Sequence, residues 1–227
     1  MCGSELGQTA GMDVTEAVRR RKSIRQFTDR PVSDEALREL LELAARAPSG
    51  GNVQPWRIYV INGESMARFR EFIADRPFEP GEYDIYPPKL WDPYRTNRFA
   101  IGEAMYATIG IERDDKEGRL AQFAKNGDFF GAPAALFCFI DRGMGPPQWS
   151  DLGMFLQTFM LLAQERGIDT CAQEYWSVRH SSVREFVGAP AEELLFCGVS
   201  VGYADPDAAI NNLESERMPL ESWATFI

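Results

Sequence analysis

Five cations stand close together near the start of a chain whose net charge is −10. Residues 19–25 read Arg-Arg-Arg-Lys-Ser-Ile-Arg. Arginine presents forked donors that match the oxygens of a phosphate, and the hydroxyl of Ser23 adds another donor. The pattern therefore predicts a site for an anion. A solvated basic helix end, favoured by the helix dipole, is the alternative.

A short polar loop offers a second set of donors and acceptors. Residues 47–56 read Ala-Pro-Ser-Gly-Gly-Asn-Val-Gln-Pro-Trp. The two glycines allow the backbone to fold tightly, the amides of Asn52 and Gln54 donate and accept, and Trp56 adds a flat apolar surface. Such a loop, between a helix and a strand, can cradle a planar ligand rich in polar groups. An ordinary helix-to-strand connection is the alternative.

Prolines and aromatic residues alternate over residues 76–98. The aromatic positions are Phe78, Tyr83, Tyr86, Trp91 and Tyr94. A segment of this length without periodicity is uncommon inside a compact domain and is often functional. It predicts a lid or pocket wall that stacks on an aromatic substrate. The alternative is a surface excursion whose rings only dock on the core.

The side chains offer little catalytic chemistry of their own. A Ser-His-Asp triad or a multi-histidine metal site would have to be built around one histidine, His180, which is expected at the surface. The four cysteines (Cys2, Cys138, Cys171 and Cys197) are scattered and show no metal-binding spacing. No metal site and no catalytic side chain are predicted. An enzyme of this composition is expected to use an organic cofactor.

Composition narrows the class of protein. With 227 residues, 44% of them hydrophobic, the chain is expected to form one globular domain over residues 13–227. The acidic net charge argues against nucleic acid or an anionic membrane surface as the main partner. No apolar run approaches the roughly 18–20 residues of a membrane span. Residues 1–12 lack the features of a secretory signal and are expected to be a disordered leader. Cys138 and Cys197 lie inside apolar runs, as buried structural thiols do, so a reduced cytoplasmic setting fits best.

Hydrophobic periodicity and capping residues predict the elements that position these groups. Helices are expected over residues 13–21, 33–47, 65–74, 97–111, 113–126, 149–166 and 177–187. Strands are expected over residues 56–61, 134–140 and 194–201. The chain contains no Walker loop and no G-x-G-x-x-G motif. A dinucleotide is therefore not expected to bind in the Rossmann manner.

Four motifs occur in order along the chain. They are residues 21–25 (Arg-Lys-Ser-Ile-Arg), the loop 48–56, residues 202–205 (Gly-Tyr-Ala-Asp) and residues 217–220 (Arg-Met-Pro-Leu). Together they resemble the FMN-dependent nitroreductase superfamily, of the oxygen-insensitive type, from Val14 to Leu220. The resemblance implies an α+β fold: a three-layer sandwich with a central, mostly antiparallel sheet flanked by helices. It also implies an intertwined homodimer with two FMN sites at the interface.

The resemblance further implies which residues hold FMN. The residues implied to bind the phosphate and the ribityl chain are Arg21, Lys22, Ser23 and Arg25. Arg217 is implied to complete the phosphate site. The isoalloxazine ring is expected to meet two other segments, one of them supplied by the partner subunit. The residues of the partner's loop are Pro48, Ser49, Gly50 and Asn52, and those that cover the flavin near N5 are Ala172, Gln173 and Glu174.

Two positions depart from the family pattern. Members often carry a second Arg where this chain has Lys22, and some carry a Lys where it has Ser215. The phosphate is therefore expected to be held more by the first cation cluster. In the lid, expected over residues 77–126, no residues match the charged clamp that related dehalogenases use for amino-acid substrates.

The activity that the resemblance implies is ping-pong reduction of nitroaromatic or quinone-like acceptors. NAD(P)H is the implied electron donor, with hydride transfer through flavin N5. The side chains expected to stack on the substrate are Tyr86, Trp91, Tyr94, Phe129 and Phe130. The tail, residues 203–227, is expected to pack on the partner subunit. The alternatives are a reductive dehalogenase or flavin-modifying enzyme of the same fold, and a non-catalytic flavin-binding protein.

Overall fold

The computed structural model describes residues 12–227, so the expected leader lies, apart from Met12, outside the described residues. The helices are α1 (Val14–Arg20), α2 (Asp34–Ala44), α3 (Glu64–Ile73), α4 (Tyr94–Thr108), α5 (Lys116–Ala124), α6 (Pro146–Glu165) and α7 (His180–Val187). The strands are β1 (Trp56–Asn62), β2 (Ala134–Asp141), β3 (Asp169–Gln173) and β4 (Glu193–Gly202). Every helix and strand expected from the sequence is present, with ends that differ by no more than three residues. Strand β3 was not predicted.

Capping residues account for the first turns of two helices. The carboxylate of Asp13 accepts from the N–H of Glu16 at 2.8 Å and begins α1. The hydroxyl of Ser33 accepts from the N–H of Ala36 at 3.1 Å and begins α2, as predicted. Each cap supplies an acceptor to an N–H that has no partner inside the helix. Although α6 is 20 residues long, no helix in the described part of the chain combines the length and apolar character needed to cross a membrane.

The four strands form one sheet in the order β1-β2-β4-β3, and every neighbouring pair is antiparallel. In this order the two central strands are β2 and β4, and the edge strands are β1 and β3. The register places Trp56 opposite Ile140, and Thr170 opposite Val201. The predicted central antiparallel sheet is confirmed.

Helices cover both faces of this sheet. Residues 134–140 of β2 are all buried, as expected for a strand covered on both sides. Leu136 and Cys138 pack with α2 and α6 in one cluster, whereas Phe137 and Phe139 pack with α3 and α7 in another. Because side chains alternate between the faces of a strand, the two clusters lie on opposite sides of the sheet. This arrangement confirms the predicted three-layer sandwich.

The lid and the tail lie outside these layers. No residue of α4 is buried, and residues 77–93 contain neither helix nor strand. The tail from residue 203 contains only two short 3₁₀ turns, Ala209–Asn212 and Leu220–Ser222. Its side chains Trp223 and Phe226 are 68% and 86% exposed. That the tail packs on a partner subunit stays a prediction.

Candidate functional site

The first cation cluster lies beside β3, at one edge of the sheet. Ser23 forms a parallel bridge with Thr170, and the N–H of Ile24 donates to the carbonyl of Thr170 at 3.1 Å. The side chain of Ile24 is buried, whereas Lys22 and Arg25 are half-buried. The pairing therefore anchors the segment while its cations remain accessible from solvent.

The structure brings Arg217 to this cluster, although the two are far apart in sequence. Burial and the positive charge of Arg217 together lower the pKa of Arg21 below its ordinary value. A single nitrogen of Arg217, Nη1, donates to the carbonyl and the hydroxyl of Ser215 at 2.8 and 2.6 Å, and to the carbonyl of Glu216 at 2.9 Å. The exposed side chain of Arg217 is thus folded back on the two residues before it, and its charge acts on Arg21 of the first cluster.

These cations lack counter-ions among the residues that the structure describes. Among residues 12–227, no carboxylate lies within 4.0 Å of the guanidinium nitrogens of Arg21, Arg25 or Arg217. A half-buried guanidinium that faces a like charge is unfavourable unless an anion joins them. The donor set of forked guanidiniums, a lysine and a hydroxyl therefore fits the phosphate of FMN.

Strand β3 contributes two groups that sequence reasoning missed. Burial raises the pKa of the Cys171 thiol to about 11, against the opposing effect of Arg25. Burial also raises the pKa of Asp169, although the N–H of Ala204, which donates at 2.9 Å, and the charge of Lys22 oppose the shift. The thiol is therefore neutral at ordinary pH and does not compete with an anion for the cations. No motif in the sequence marks either residue.

The end of β3 presents its residues differently from what the sequence predicted. Ala172 and Glu174 are exposed, but the side chain of Gln173 is buried. Its amide donates to the backbone carbonyl and the side-chain oxygen of Asn126 at 3.0 and 3.1 Å, and accepts from the hydroxyl of Ser200 at 2.7 Å. The side chain of Gln173 is thus fully used within the protein, and only its backbone is left to meet a cofactor.

The polar loop is already folded into a tight turn. Gly51, Asn52 and Gln54 have φ values of 58°, 58° and 52°, and for a residue with a Cβ that conformation is uncommon. The hydroxyl of Ser49 accepts from the N–H of Gln54 at 3.0 Å, which closes the turn. Backbone strain of this kind is often found at ligand-binding sites.

A buried carboxylate supports the loop from below. The N–H of Gly50 donates to Oδ2 of Asp151 on α6 at 3.2 Å, and Asp151 is only 5% exposed. Pro48 and Gly50 are themselves exposed. Trp56 stacks on Phe155, with ring centroids 5.0 Å apart. One face of this half-buried ring therefore packs on the core, and whether the ring also meets a ligand stays a prediction.

One chain does not bring the loop and the cation cluster together. The loop precedes Trp56, which is level with Leu194 across the sheet, whereas the cations lie beside Thr170, which is level with Val201. The strands β1 and β3 are the two edges of the sheet. Typical strand spacings place these corners about 14 Å apart across the sheet and about 24 Å apart along it. The two halves of the predicted site thus lie at diagonally opposite corners.

Three of the predicted substrate contacts are exposed on the lid. Tyr86, Trp91 and Tyr94 are 46%, 58% and 53% exposed. Arg98 lies over the ring of Tyr86 at 4.3 Å, and Trp91 meets Tyr94 edge to face at 5.6 Å. These rings remain available to a planar ligand, and their role as substrate contacts stays a prediction.

The other two predicted substrate contacts are part of the core. Phe129 and Phe130 are 0% and 4% exposed, and Phe129 stacks on Trp176 with centroids 4.5 Å apart. Both residues have positive φ, 50° and 57°, in the turn that leads from the lid into β2. That turn directs both rings inward, so the prediction that they stack on substrate is wrong.

The lid is fixed to the body at its first residues by a charged cluster. The His180 side chain, only 13% exposed, lies between Glu79 and Glu82 at 3.7 and 3.6 Å, so the expectation of a surface histidine is wrong. Burial would by itself raise the pKa of Glu82, but the hydrogen bond from Arg142 and the charges of His180 and Arg184 hold it below its ordinary value. The lid therefore begins from a firm anchor.

Known proteins share this fold and sequence. A family model described as the nitroreductase family matches residues 18–203. Nitrobenzene nitroreductase from Ectopseudomonas oleovorans is 34% identical, over 94% of this chain and 96% of that protein. 4-Nitrobenzoate reductase from Pseudomonas putida is 35% identical, over 95% of this chain and 96% of that protein.

Solved structures agree with this match. The crystal structure of the FMN and NADPH-dependent nitroreductase NfnB from Sphigopyxis sp. strain HMH has a TM-score of 0.91 and 45% identity, over 95% of this chain and 99% of that one. The FMN-dependent nitroreductase NfnB from Mycobacterium smegmatis, solved in complex with NADPH, has a TM-score of 0.88 and 29% identity, over 95% of this chain and 100% of that one. The chain therefore belongs to the nitroreductase family.

Proposed function

We propose that the protein is an FMN-dependent NAD(P)H oxidoreductase that reduces nitroaromatic acceptors, with quinone-like compounds as further acceptors. The observation that carries this proposal is the pair Arg21 and Arg217, which lie near enough for the charge of Arg217 to lower the pKa of Arg21, with no carboxylate within 4.0 Å of either guanidinium in the described chain. On a nitroreductase fold, that pair provides the phosphate end of an FMN site. The names of the relatives, nitrobenzene nitroreductase and 4-nitrobenzoate reductase, support the choice of acceptor.

The cation cluster holds the cofactor by its phosphate end. Arg21, Lys22, Arg25 and Arg217 offer charged donors, and Ser23 adds a hydroxyl to the phosphate or the ribityl chain. Bound FMN supplies the redox chemistry, by taking a hydride from NAD(P)H and passing it to the acceptor. The protein side chains are therefore needed for binding and orientation, not as nucleophiles.

The segment around the end of β3 adjusts the environment of the flavin. Ala172 and Glu174 are exposed there, and the buried Gln173 fixes the backbone between them. Fixed backbone groups stabilise charge without reorganising when it develops. The exposed rings Tyr86, Trp91 and Tyr94 stack on the aromatic acceptor and hold it within reach of the flavin.

We propose further that the active protein is a homodimer with a site at each end of the interface. The loop and the cation cluster of one chain lie at opposite corners of the sheet, so Pro48, Ser49, Gly50 and Asn52 reach a flavin on the partner subunit. The exposed tail residues Trp223 and Phe226 support this assembly, since apolar side chains of that size favour burial. The tail, residues 203–227, packs on the partner.

We place the enzyme in the cytoplasm. The thiols of Cys138, Cys171 and Cys197 are free and buried, and Cys138 lies directly opposite Cys197 in the sheet. Neighbouring thiols that stay unlinked are typical of a reducing compartment.

An absorption spectrum of the purified protein, followed by NADPH without air, tests the proposal. We expect about one FMN per chain, bands that bleach with NADPH, and recovery of the bands when 4-nitrobenzoate is added. The same measurement is repeated with NADH in place of NADPH as electron donor, and with a quinone in place of 4-nitrobenzoate as acceptor. Protein that stays colourless with added FMN contradicts the proposal, and bands that never bleach indicate a flavin-binding protein. Recovery with an aryl halide but not with a nitroarene indicates a dehalogenase.

A further inference from the structure

A buried amide in the tail holds the backbone of the cation cluster. Asn211 lies in the turn Ala209–Asn212 and is 5% exposed. Its Oδ1 accepts from the backbone N–H of Arg25 at 2.9 Å. Its Nδ2 donates to the carbonyl of Gln26 at 2.8 Å and to the carbonyl of Asp205 at 3.1 Å. Both donors and the acceptor of the amide are therefore used.

Asn211 supplies the hydrogen-bond acceptor that the backbone of a neighbouring strand would otherwise supply to the N–H of Arg25. On either side of it the segment has backbone partners: Ile24 donates to Thr170 at 3.1 Å, and Thr28 donates to Tyr203 at 2.9 Å. The N–H of Arg25 is met by a side chain instead. A buried N–H without a partner is costly, so the amide of Asn211 allows the segment to stay extended at that point.

The same amide ties the tail to the first half of the phosphate site. Arg25 belongs to the first cluster, and Arg217 follows Asn211 in the tail after a short irregular stretch. We propose that Asn211 is a positioning residue of the phosphate site, which fixes the backbone at Arg25 and Gln26 so that the cations of the cluster and the tail converge on one anion. The inference rests on the proposed FMN function. Asn211 itself does not touch the cofactor.

The chemistry of the site requires an amide. In Asn211→Asp the shape is kept, but a carboxylate oxygen replaces Nδ2 and faces the carbonyls of Gln26 and Asp205. Two favourable contacts become repulsive, and the segment carrying Arg25 shifts. Asn212→Asp is the matched control, since it introduces the same charge one residue away, at an exposed position.

The test compares two flavins that differ only in the phosphate. We would measure the Kd of the apoprotein for FMN and for riboflavin by quenching of flavin fluorescence. The ratio of the riboflavin Kd to the FMN Kd reports the contribution of the phosphate site alone. General damage to the fold or to the isoalloxazine pocket weakens both flavins together and leaves that ratio unchanged.

We expect Asn211→Asp to lower this ratio by about tenfold or more, since it weakens charge-assisted contacts to the phosphate. Asn212→Asp should keep the ratio within about twofold of the wild type. Asn211→Ala, which removes the same bonds without adding charge, should lower the ratio in the same direction. If Asn211→Asp does not fold, the Kd ratio of Asn211→Ala is compared with that of the wild type instead.

The outcomes separate this inference from the function on which it rests. If the wild type prefers FMN and the Asn211 variants keep that preference, or lose both flavins equally, Asn211 is not a positioning residue. If Asn212→Asp lowers the ratio as much as Asn211→Asp, the added negative charge alone explains the loss of FMN preference, and the inference fails. A wild type that binds neither flavin overturns the FMN proposal itself.

Discussion

The side-chain amide of Gln173 donates to both oxygens of Asn126, at 3.0 and 3.1 Å. Gln173 is the last residue of β3, and Asn126 is the last residue of the expected lid. The amide of Gln173 is also held in place by the hydroxyl of Ser200. The edge strand expected to cover the flavin is thereby joined directly to the end of the lid.

Replacing Gln173 by glutamate should release the end of the lid. In Gln173→Glu an oxygen replaces the donor and faces two acceptors of Asn126, so we expect a loss of about 1–3 kcal/mol in the free energy of unfolding. Urea denaturation measures that loss, and limited trypsin digestion at Lys125 should become faster. The control is Gln157→Glu, at an exposed position of α6. Equal effects of the two variants would show that only the added charge matters.

Truncation should distinguish core aromatics from lid aromatics. Phe129→Ala removes a fully buried ring, and we expect it to lower the free energy of unfolding by about 3–5 kcal/mol. In the molecules that stay folded and hold flavin, KM for a nitroarene should not change. Trp91→Ala, on the exposed lid, should change stability by less than about 0.5 kcal/mol and raise that KM.

Denaturation and steady-state kinetics on the same preparations measure both effects. The assignment of Phe129 to the core would be wrong if Phe129→Ala left stability intact and raised KM instead. An unchanged KM in Trp91→Ala would remove Trp91 from the proposed substrate contacts.

Sequence reasoning located the chemistry of the cation cluster but not its setting. Arginine and serine at residues 21–25 are informative by type alone, because few other side chains bind phosphate as well. Their position depends on β3, a strand of five residues in which polar and apolar side chains do not alternate cleanly. Asn211 shares this difficulty, since its role arises from a contact across 186 residues of sequence.

The wrong prediction for Phe129 and Phe130 has a different physical cause. Phe129, Phe130 and Gly131 all have positive φ, from 50° to 82°, and only the glycine favours that conformation by itself. A run of this kind is held by tertiary packing against Trp176 and its neighbours. Local preferences in the sequence therefore could not indicate which way the rings would point. The strands 134–140 and 194–201, with strong hydrophobic patterns, were predictable.

The carboxylate of Asp169 should make stability depend on pH. Because burial raises the pKa of Asp169 in the fold, its contribution to stability is fully present below the unfolded pKa and is lost as pH rises through the folded pKa. In Asp169→Asn the side chain stays neutral and its oxygen can still accept from the N–H of Ala204. We therefore expect Asp169→Asn to have a higher Tm than the wild type at pH 8, with the difference closing towards pH 4.

Thermal denaturation over that pH range checks this expectation. Asp29→Asn, at an exposed position on the same segment as the cations, makes the same change in net charge and should give a smaller difference. A gap in Tm for Asp169→Asn that is constant over pH 4–8, or that widens towards pH 4, would contradict the assignment of a raised pKa.

Arg217 should hold the phosphate through its charge, so its effect should depend on salt. Arg217→Gln keeps some hydrogen bonding but removes the charge, and we expect the Kd for FMN at low salt to rise by about tenfold to a hundredfold. Added salt screens charges in a half-buried site less effectively than charges at the surface.

The dependence of Kd on salt should still differ between the two proteins. The slope of log Kd against log salt concentration should be shallower for Arg217→Gln than for the wild type, because one cation fewer interacts with the phosphate. Arg68→Gln, at an exposed position of α3, should leave both Kd and slope unchanged. If Arg217→Gln weakens FMN without changing the slope, the tail acts through shape rather than charge, and the pairing of Arg21 with Arg217 around a phosphate is not what binds the cofactor.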